Sequence, residues 1–275
     1  MSDQLELEDG RQNLVEDSLA GRLYRLDVKI EGALDRPTVA ALGPALNALY
    51  ARALTALLAD PTLGGLACDV TEENPDGPSL EFAINHRAFQ APSGAFVLSL
   101  AVPYWQPEGV AARREPILEA LTAALANNGP GPDPCVREAI LAALVADLQA
   151  ALGIPIPRNV DRPLQCAPGS PMAVFHDGDQ RANAENLGLT LYTMRPALEL
   201  YGPGSDEALL DSHVQLALAA IRASDHPGGL AIEVVEGDTD PEVLRQEYSG
   251  PLNAARIDLE CTYATLPGRP YEGLL

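Results

Sequence analysis

The segment His176-Asp-Gly-Asp179, continuing through Arg181 to Asn183, holds the spacing best suited to chemistry. Oxygen ligands at alternate positions are what a hard cation such as calcium requires. A calcium loop also needs a glycine at its sixth position and a glutamate at its twelfth, and Arg181 and Ala182 break that pattern. Asp177 and Asp179 are therefore expected in a solvated turn, and no metal is expected. His86, His213 and His226 stand far apart in the chain. Cys68, Cys135, Cys166 and Cys261 form no C-x-x-C pair and lie near no histidine at zinc spacing. They are expected as reduced, structural thiols, with Cys68 and Cys261 on apolar positions of strands. Glu233, Glu236, Asp238 and Asp240 cluster near a strand end, as solvated acids of a very acidic chain. The pairs Gly64-Gly65 and Gly228-Gly229 could cradle a phosphate, but anion sites sit at helix N-termini and these pairs follow helices. They are expected as structural turns with positive φ. The sequence carries no P-loop, dinucleotide fingerprint, nucleophile elbow or H-E-x-x-H. No catalytic residue, no cofactor and no enzymatic activity is expected.

The elements that position these residues follow from periodicity. Leu23–Ile30 reads as a strand, with Leu26, Val28 and Ile30 on one face. Asp35 and Pro37 signal a helix start, and Leu42, Leu46, Leu49, Ala53, Leu54 and Leu57 form its apolar face to about Ala59. Strands follow at Leu66–Val70, Leu80–His86 and Phe96–Val102. Glu115 to Ala126 suits a short helix between proline-rich stretches, and Val136–Leu152 is the strongest helix in the chain. Residues 154–186 read as a long loop or hairpin interrupted by Met172–Phe175. A strand region Leu187–Tyr201, a helix Asp206–Ala223, a strand Leu230–Val235, an acidic loop and a strand Ala254–Tyr263 complete the pattern. In the last, Ile257, Leu259, Cys261 and Tyr263 alternate with Arg256, Asp258, Glu260 and Thr262.

The chain has 275 residues, 47% of them hydrophobic, which is room for two domains of ordinary size. The expected layout is an acidic N-terminal arm (1–20), a first α+β domain (21–106), a linker with a short helix (107–134) and a second α+β domain (135–275). Each domain would pack an antiparallel or mixed sheet on amphipathic helices. With 18 basic against 39 acidic residues, a net charge of −21 opposes tight nucleic-acid binding. No apolar run is long enough for a membrane helix, and the acidic first residues are not expected to act as a secretory signal.

One stretch occurs twice. Tyr50–Val70, with Ala59-Asp-Pro-Thr-Leu-Gly-Gly-Leu66 at its centre, aligns without a gap on Val214–Val234, which carries Pro227-Gly-Gly-Leu-Ala231. Both read as apolar-periodic helix, polar turn, Gly-Gly, Leu-Ala, then an acid between apolar residues. From about Asp133 to Tyr271 the order of features resembles the tail terminator (minor tail, tail-completion) proteins of long-tailed bacteriophages. It runs from the helix Val136–Leu152 through a hairpin, a strand pair ending in Ala197-Leu-Glu-Leu-Tyr201, the second helix and the Gly-Gly turn. It closes on the last strand and the phrase Gly268-Arg-Pro-Tyr271. The first half matches the strand–helix–Gly-Gly–strand core. The resemblance implies a structural virion protein located in the tail or neck and assembled in the host cytoplasm. It would form a homo-oligomeric ring on the last tail-tube ring, stop tube polymerisation and offer a surface to head–tail connector or neck proteins. DNA would pass through an acidic lumen without sticking. Six chains are the first expectation for the ring, and three chains forming a pseudo-sixfold ring the alternative. The rival readings are another tail-tube or head–tail joining protein, and a small-molecule-binding protein or enzyme with an interdomain cleft.

Overall fold

Strict alternation of apolar and polar residues in two long segments sets the frame of the molecule. A computed structural model describes residues 3–18, 20–85, 92–129, 134–160, 170–186, 189–203, 206–224, 226–246 and 250–273. The chain forms β1 (Gln4–Ser18), β2 (Gly21–Asp35), α1 (Leu42–Leu57), β3 (Thr71–Glu72), β4 (Leu80–Asn85) and β5 (Ser93–Pro107). Then come α2 (Arg114–Ala126), α3 (Val136–Leu152), β6 (Met172–His176), β7 (Gln180–Asn186), β8 (Leu189–Met194) and β9 (Ala197–Pro203). Last are α4 (Glu207–Ala223), β10 (Ala231–Gln246), β11 (Gly250–Leu266) and β12 (Arg269–Gly273). The fold is mixed α+β: four α-helices and one large sheet whose strands pair antiparallel, among the described residues. The strand order is β1-β2-β5-β4-β7-β8-β11-β9-β6, with β3 on β5 and both β10 and β12 on β11.

The helices cover one face of this sheet. Leu26, Val28 and Ile30 of β2 and Phe96, Leu98, Leu100 and Val102 of β5 pack against the buried side of α1 and against Ile117, Leu121 and Leu125 of α2. A second core joins α3 and α4 to Tyr192, Met194, Leu198, Ile257, Leu259, Cys261 and Tyr263. Fully burying one such aliphatic side chain contributes about 1.5–3 kcal/mol, and dozens are buried. The face turned away from the helices keeps the polar half of the alternation: Lys29, Glu31, Arg256, Asp258 and Glu260 are exposed. Helix ends follow local chemistry. The Leu209 N–H donates to the Asp206 carboxylate at the start of α4, and Gly153 closes α3 with a φ of 67°.

Four expectations are corrected. Residues 4–18 of the expected arm are a strand, paired along its length with β2. Its alternation is hidden by a bulge: Leu5, Leu7 and Asp9 share the face of the β2 core, and after the register shift Gln12 and Leu14 do. Residues 66–70 turn instead of forming a strand. The Asp60 carboxylate accepts from the Thr62 N–H, the Thr62 hydroxyl and the Gly64 N–H, which curls the chain until β3 begins. Cys68 is accordingly exposed, not set in a strand. The expected acidic loop after Val235 is the continuation of β10, which runs to Gln246 and pairs back on β11. In the expected long loop, β6 and β7 are strands, and residues 161–169 lie outside the described set.

Candidate functional site

The two halves meet along a buried polar seam. Arg137, in the first turn of α3, is 1% exposed and stacks over the Phe82 ring, 4.5 Å from its centroid. Its guanidinium donates to the Asn47 side-chain oxygen (2.6 Å) and to the Asp177 and Gly178 carbonyls (3.0 and 2.8 Å). Asn47, on α1, donates in turn to Glu138 (2.7 Å). Arg158 clasps both nearby carboxylates, reaching Glu138 at 2.6 Å and Asp177 at 2.8 Å. Burial by itself would lower the Arg158 pKa, but Asp177 and Glu138 reverse that and the net shift is upward. Asp177, named above as a possible metal ligand, therefore spends both oxygens on a guanidinium. Asp179 is exposed two residues on.

Beside the seam lies a hub at the one place where, among the described residues, the two halves of the sheet pair, Leu80 with Gln180. Gln180 is 1% exposed. It donates to the Tyr50 hydroxyl (2.9 Å) and Glu72 (3.4 Å), and accepts from the Tyr263 hydroxyl (2.5 Å). Tyr50 and Ser79 both donate to Glu72 at 2.9 Å. The Ala182 N–H donates to the Ser79 hydroxyl across the joint (2.9 Å). Tyr192 stacks on Tyr263 with ring centroids 5.1 Å apart. Burial pushes the Tyr50, Tyr192 and Tyr263 hydroxyls well above the ordinary range, and the Glu72 charge adds to this. A groove of about 620 Å³ opens over the hub, lined by Asp69, Glu72, Glu73, Arg181, Asn183 and Tyr192 among others. The polar groups at its floor are bound to one another, which is the chemistry of a joint.

Glu72 makes the joint pH-sensitive. Burial raises its pKa, and hydrogen bonds from Ser79, Tyr50, Gln180 and Tyr192 only partly offset this. A folded-state pKa above the ordinary 4.5 contributes stability that is full below that value and lost as pH rises through the raised one. The stability of the wild-type chain relative to Glu72→Gln is thus expected to fall as pH climbs above 4.5. Urea unfolding of both proteins over a pH series measures this, and a difference that stays flat contradicts it.

Elements of the two halves correspond at nearly constant displacements along the chain. A displacement of 168 residues carries β1 and β2 onto the outer bounds of β6–β7 (172–186) and β8–β9 (189–203). A displacement of 164 carries Leu46, Tyr50, Ala53, Leu54 and Leu57 of α1 onto Leu210, Val214, Ala217, Leu218 and Ile221, the buried residues of α4. It also carries Gly64-Gly65 onto Gly228-Gly229, and all four glycines have positive φ. A displacement of 159 carries β5 onto residues 252–266 of β11. By these registers Tyr24 and Tyr104, stacked 5.6 Å apart, match Tyr192 and Tyr263, and Glu72 opposite Leu100 matches Glu236 opposite Leu259. The bulges match as well. Asp9-Gly10-x-Gln12 stands over Asp177-Gly178-x-Gln180, and a Cβ on either glycine would lie 1.8 Å from a carbonyl oxygen, of Asp27 or Arg195. This Asp-Gly-x-Gln phrase, written twice in the sequence, is the signal that sequence reasoning passed over.

The remaining candidates are dispersed. His213 Nδ1 bonds the Leu209 carbonyl and His226 Nδ1 the Ala231 carbonyl, while His86 and Cys166 lie outside the described residues. Cys135 and Cys261 are buried in the two cores, and burial pushes the Cys261 thiol up to about 12. Glu236 is bound by Arg222 (2.6 Å), Glu233 is exposed on β10, and the side chains of Asp238 and Asp240 lie outside the described set. Among the described residues no three His, Cys, Asp or Glu side chains are grouped to hold a metal, and no helix is long and apolar enough to cross a membrane. No protein-family model matches the chain, and no curated protein matches it significantly.

Proposed function

We propose that this chain is a structural ring subunit, built from one α+β unit used twice, with the role of a phage tail terminator. In this reading it caps the tail tube, ends tube polymerisation and joins the tube to the neck of the virion. The observation that carries the reading is the repeated plan itself. In each half a hairpin leads into a helix, a Gly-Gly turn with positive φ, and further strands, of which β5 and β11 lie between their neighbours. Repeats joined head to tail present one free edge at each end, and such heterologous contacts make rings when the rotation closes. The exposed acids on the uncovered sheet face and the charge of −21 suit a channel wall that does not retain DNA. Electron microscopy of the purified chain, alone and added to polymerising tail tube protein of the same virion, tests the proposal. Closed rings and shortened, capped tubes are expected. Tubes that grow to unchanged length with no ring on their ends would overturn it.

A further inference from the structure

We infer that the free edge of β10 in one molecule pairs with the free edge of β1 in a second copy, repeating between chains the joint that β4 and β7 make within one. The inference deepens the ring reading and rests on it for closure and for the number of chains. The contact itself rests on the internal joint. Within the chain, the post-Gly-Gly edge of the first half, β3–β4, meets the outer hairpin strand of the second half, β7. Under the registers above, the element matching β3–β4 is β10 and the element matching β7 is the distal part of β1. Among the described residues each of these pairs on one side only, β10 with β11 and β1 with β2. The chain thus ends in the two halves of a joint it has already made once.

The side chains repeat along with the backbone. At the internal joint Glu72 faces Gln180, Tyr192 and Tyr263. At the free edges the matching residues are Glu236 on β10 and Gln12, Tyr24 and Tyr104 on the β1 side, each of the same type as its internal match. Gln12 is exposed where Gln180 is buried, which is the difference expected of a joint not yet closed. Tyr50 is altered, to Val214, and no serine stands on β10 to match Ser79. A second observation is independent of the repeat. Of the seven large apolar side chains exposed among the described residues, four lie on these two strands: Leu14 (53%), Val15 (57%), Ile232 (41%) and Val235 (47%). Exposed edges with apolar side chains invite strand pairing.

Charge sets the condition for closure. β1 carries Glu6, Glu8, Asp9, Glu16 and Asp17 against Arg11, and β10 carries Glu233, Glu236, Asp238, Asp240 and Glu242 against Arg245. At the internal joint β4 has one acid, Glu81, and β7 balances Glu185 with Arg181. The two free edges therefore repel at low salt, where charges are felt over about 20–30 Å, and are released when salt shortens that range to a few Å. Acidic edges keep single chains apart until a condition or template screens them. With six repeats in the ring, three chains close it.

Leu80 of the internal pair matches Thr239 by register, and Gln180 matches Gln12. The full-length double variant Gln12→Cys/Thr239→Cys, in a Cys68→Ser background, is treated with a short bis-maleimide alongside each single variant. The expected result is a ladder of covalent dimer and trimer in the double variant only, at least about tenfold stronger at about 500 mM than at about 20 mM salt. Native mass of the wild-type chain should reach three times 29.1 kDa under the same high-salt condition. Rings that form without the cross-link would overturn this contact and leave the ring reading standing. Cross-linked three-chain rings that leave tail tubes uncapped would support the contact and remove the tail role. Chains that stay single at high salt would overturn the contact.

Discussion

Replacing Arg158 with alanine lowers the free energy of unfolding by about 4 kcal/mol. The guanidinium holds Glu138 at 2.6 Å and Asp177 at 2.8 Å, and these side chains are only 11% and 6% exposed. Without it, two carboxylates face each other in a buried seam. Removing one partner of such a cluster costs about 3–5 kcal/mol, chiefly because the remaining charge is left without compensation. The effect spreads across the halves, because Glu138 also accepts from Asn47 of α1 and Asp177 is followed by Gly178, whose carbonyl accepts from Arg137. Arg158→Lys should recover only part of the loss, since an ammonium lacks the planar fork that serves both carboxylates at once. Urea denaturation followed by the fluorescence of Trp105, the one tryptophan, reads both variants. A loss below about 1 kcal/mol for Arg158→Ala would mean that the seam is solvated like a surface ion pair.

The second large effect is a contrast between two glutamines in matching positions. Gln180→Ala strips a partner from Tyr50, Glu72 and Tyr263 at once, all buried around a side chain that is 1% exposed. Each unsatisfied buried group costs about 1–3 kcal/mol, and some of the loss is recovered by rearrangement, so a total of about 3 kcal/mol is expected. Gln12→Ala, on exposed β1, is expected to change unfolding by no more than about 0.5 kcal/mol. It should instead weaken association at high salt. Denaturation and native mass of the two variants measured side by side decide the matter. If Gln12→Ala unfolds as readily as Gln180→Ala, the two glutamines do not occupy an open and a closed version of one joint.

Several elements were legible because their periodicity is unbroken. Helices α3 and α4 match their expected bounds within one residue, and α1 matches near its end but starts at Leu42, past the Asp35–Pro37 start signal; their apolar residues step by three and four along one buried face. The alternation Ile257, Leu259, Cys261, Tyr263 placed β11 with its faces correctly assigned. The Gly-Gly pairs were read as turns with positive φ, and they have it. Strand β1 was illegible for a definite reason: the bulge after Asp9 moves the core-facing set from odd to even positions, so no single period describes Gln4–Ser18. The acidic stretch after Val235 looked like a loop because its strand has only one partner, and an edge tolerates charge that a central strand would not.

What the sequence determined by itself was local: where helices begin and end, which face of each strand is apolar, and that one phrase recurs. These follow from residue types within a few positions of one another. Tertiary structure alone decided which strands pair, that Gln180 of one half meets Glu72 of the other, and that Asp177 is spent on Arg158 and not on a cation. Such pairings join residues far apart in the chain: Gln180 lies 108 positions from Glu72 and 130 from Tyr50. They depend on the register and on how two cores sit side by side, and local periodicity carries no record of either.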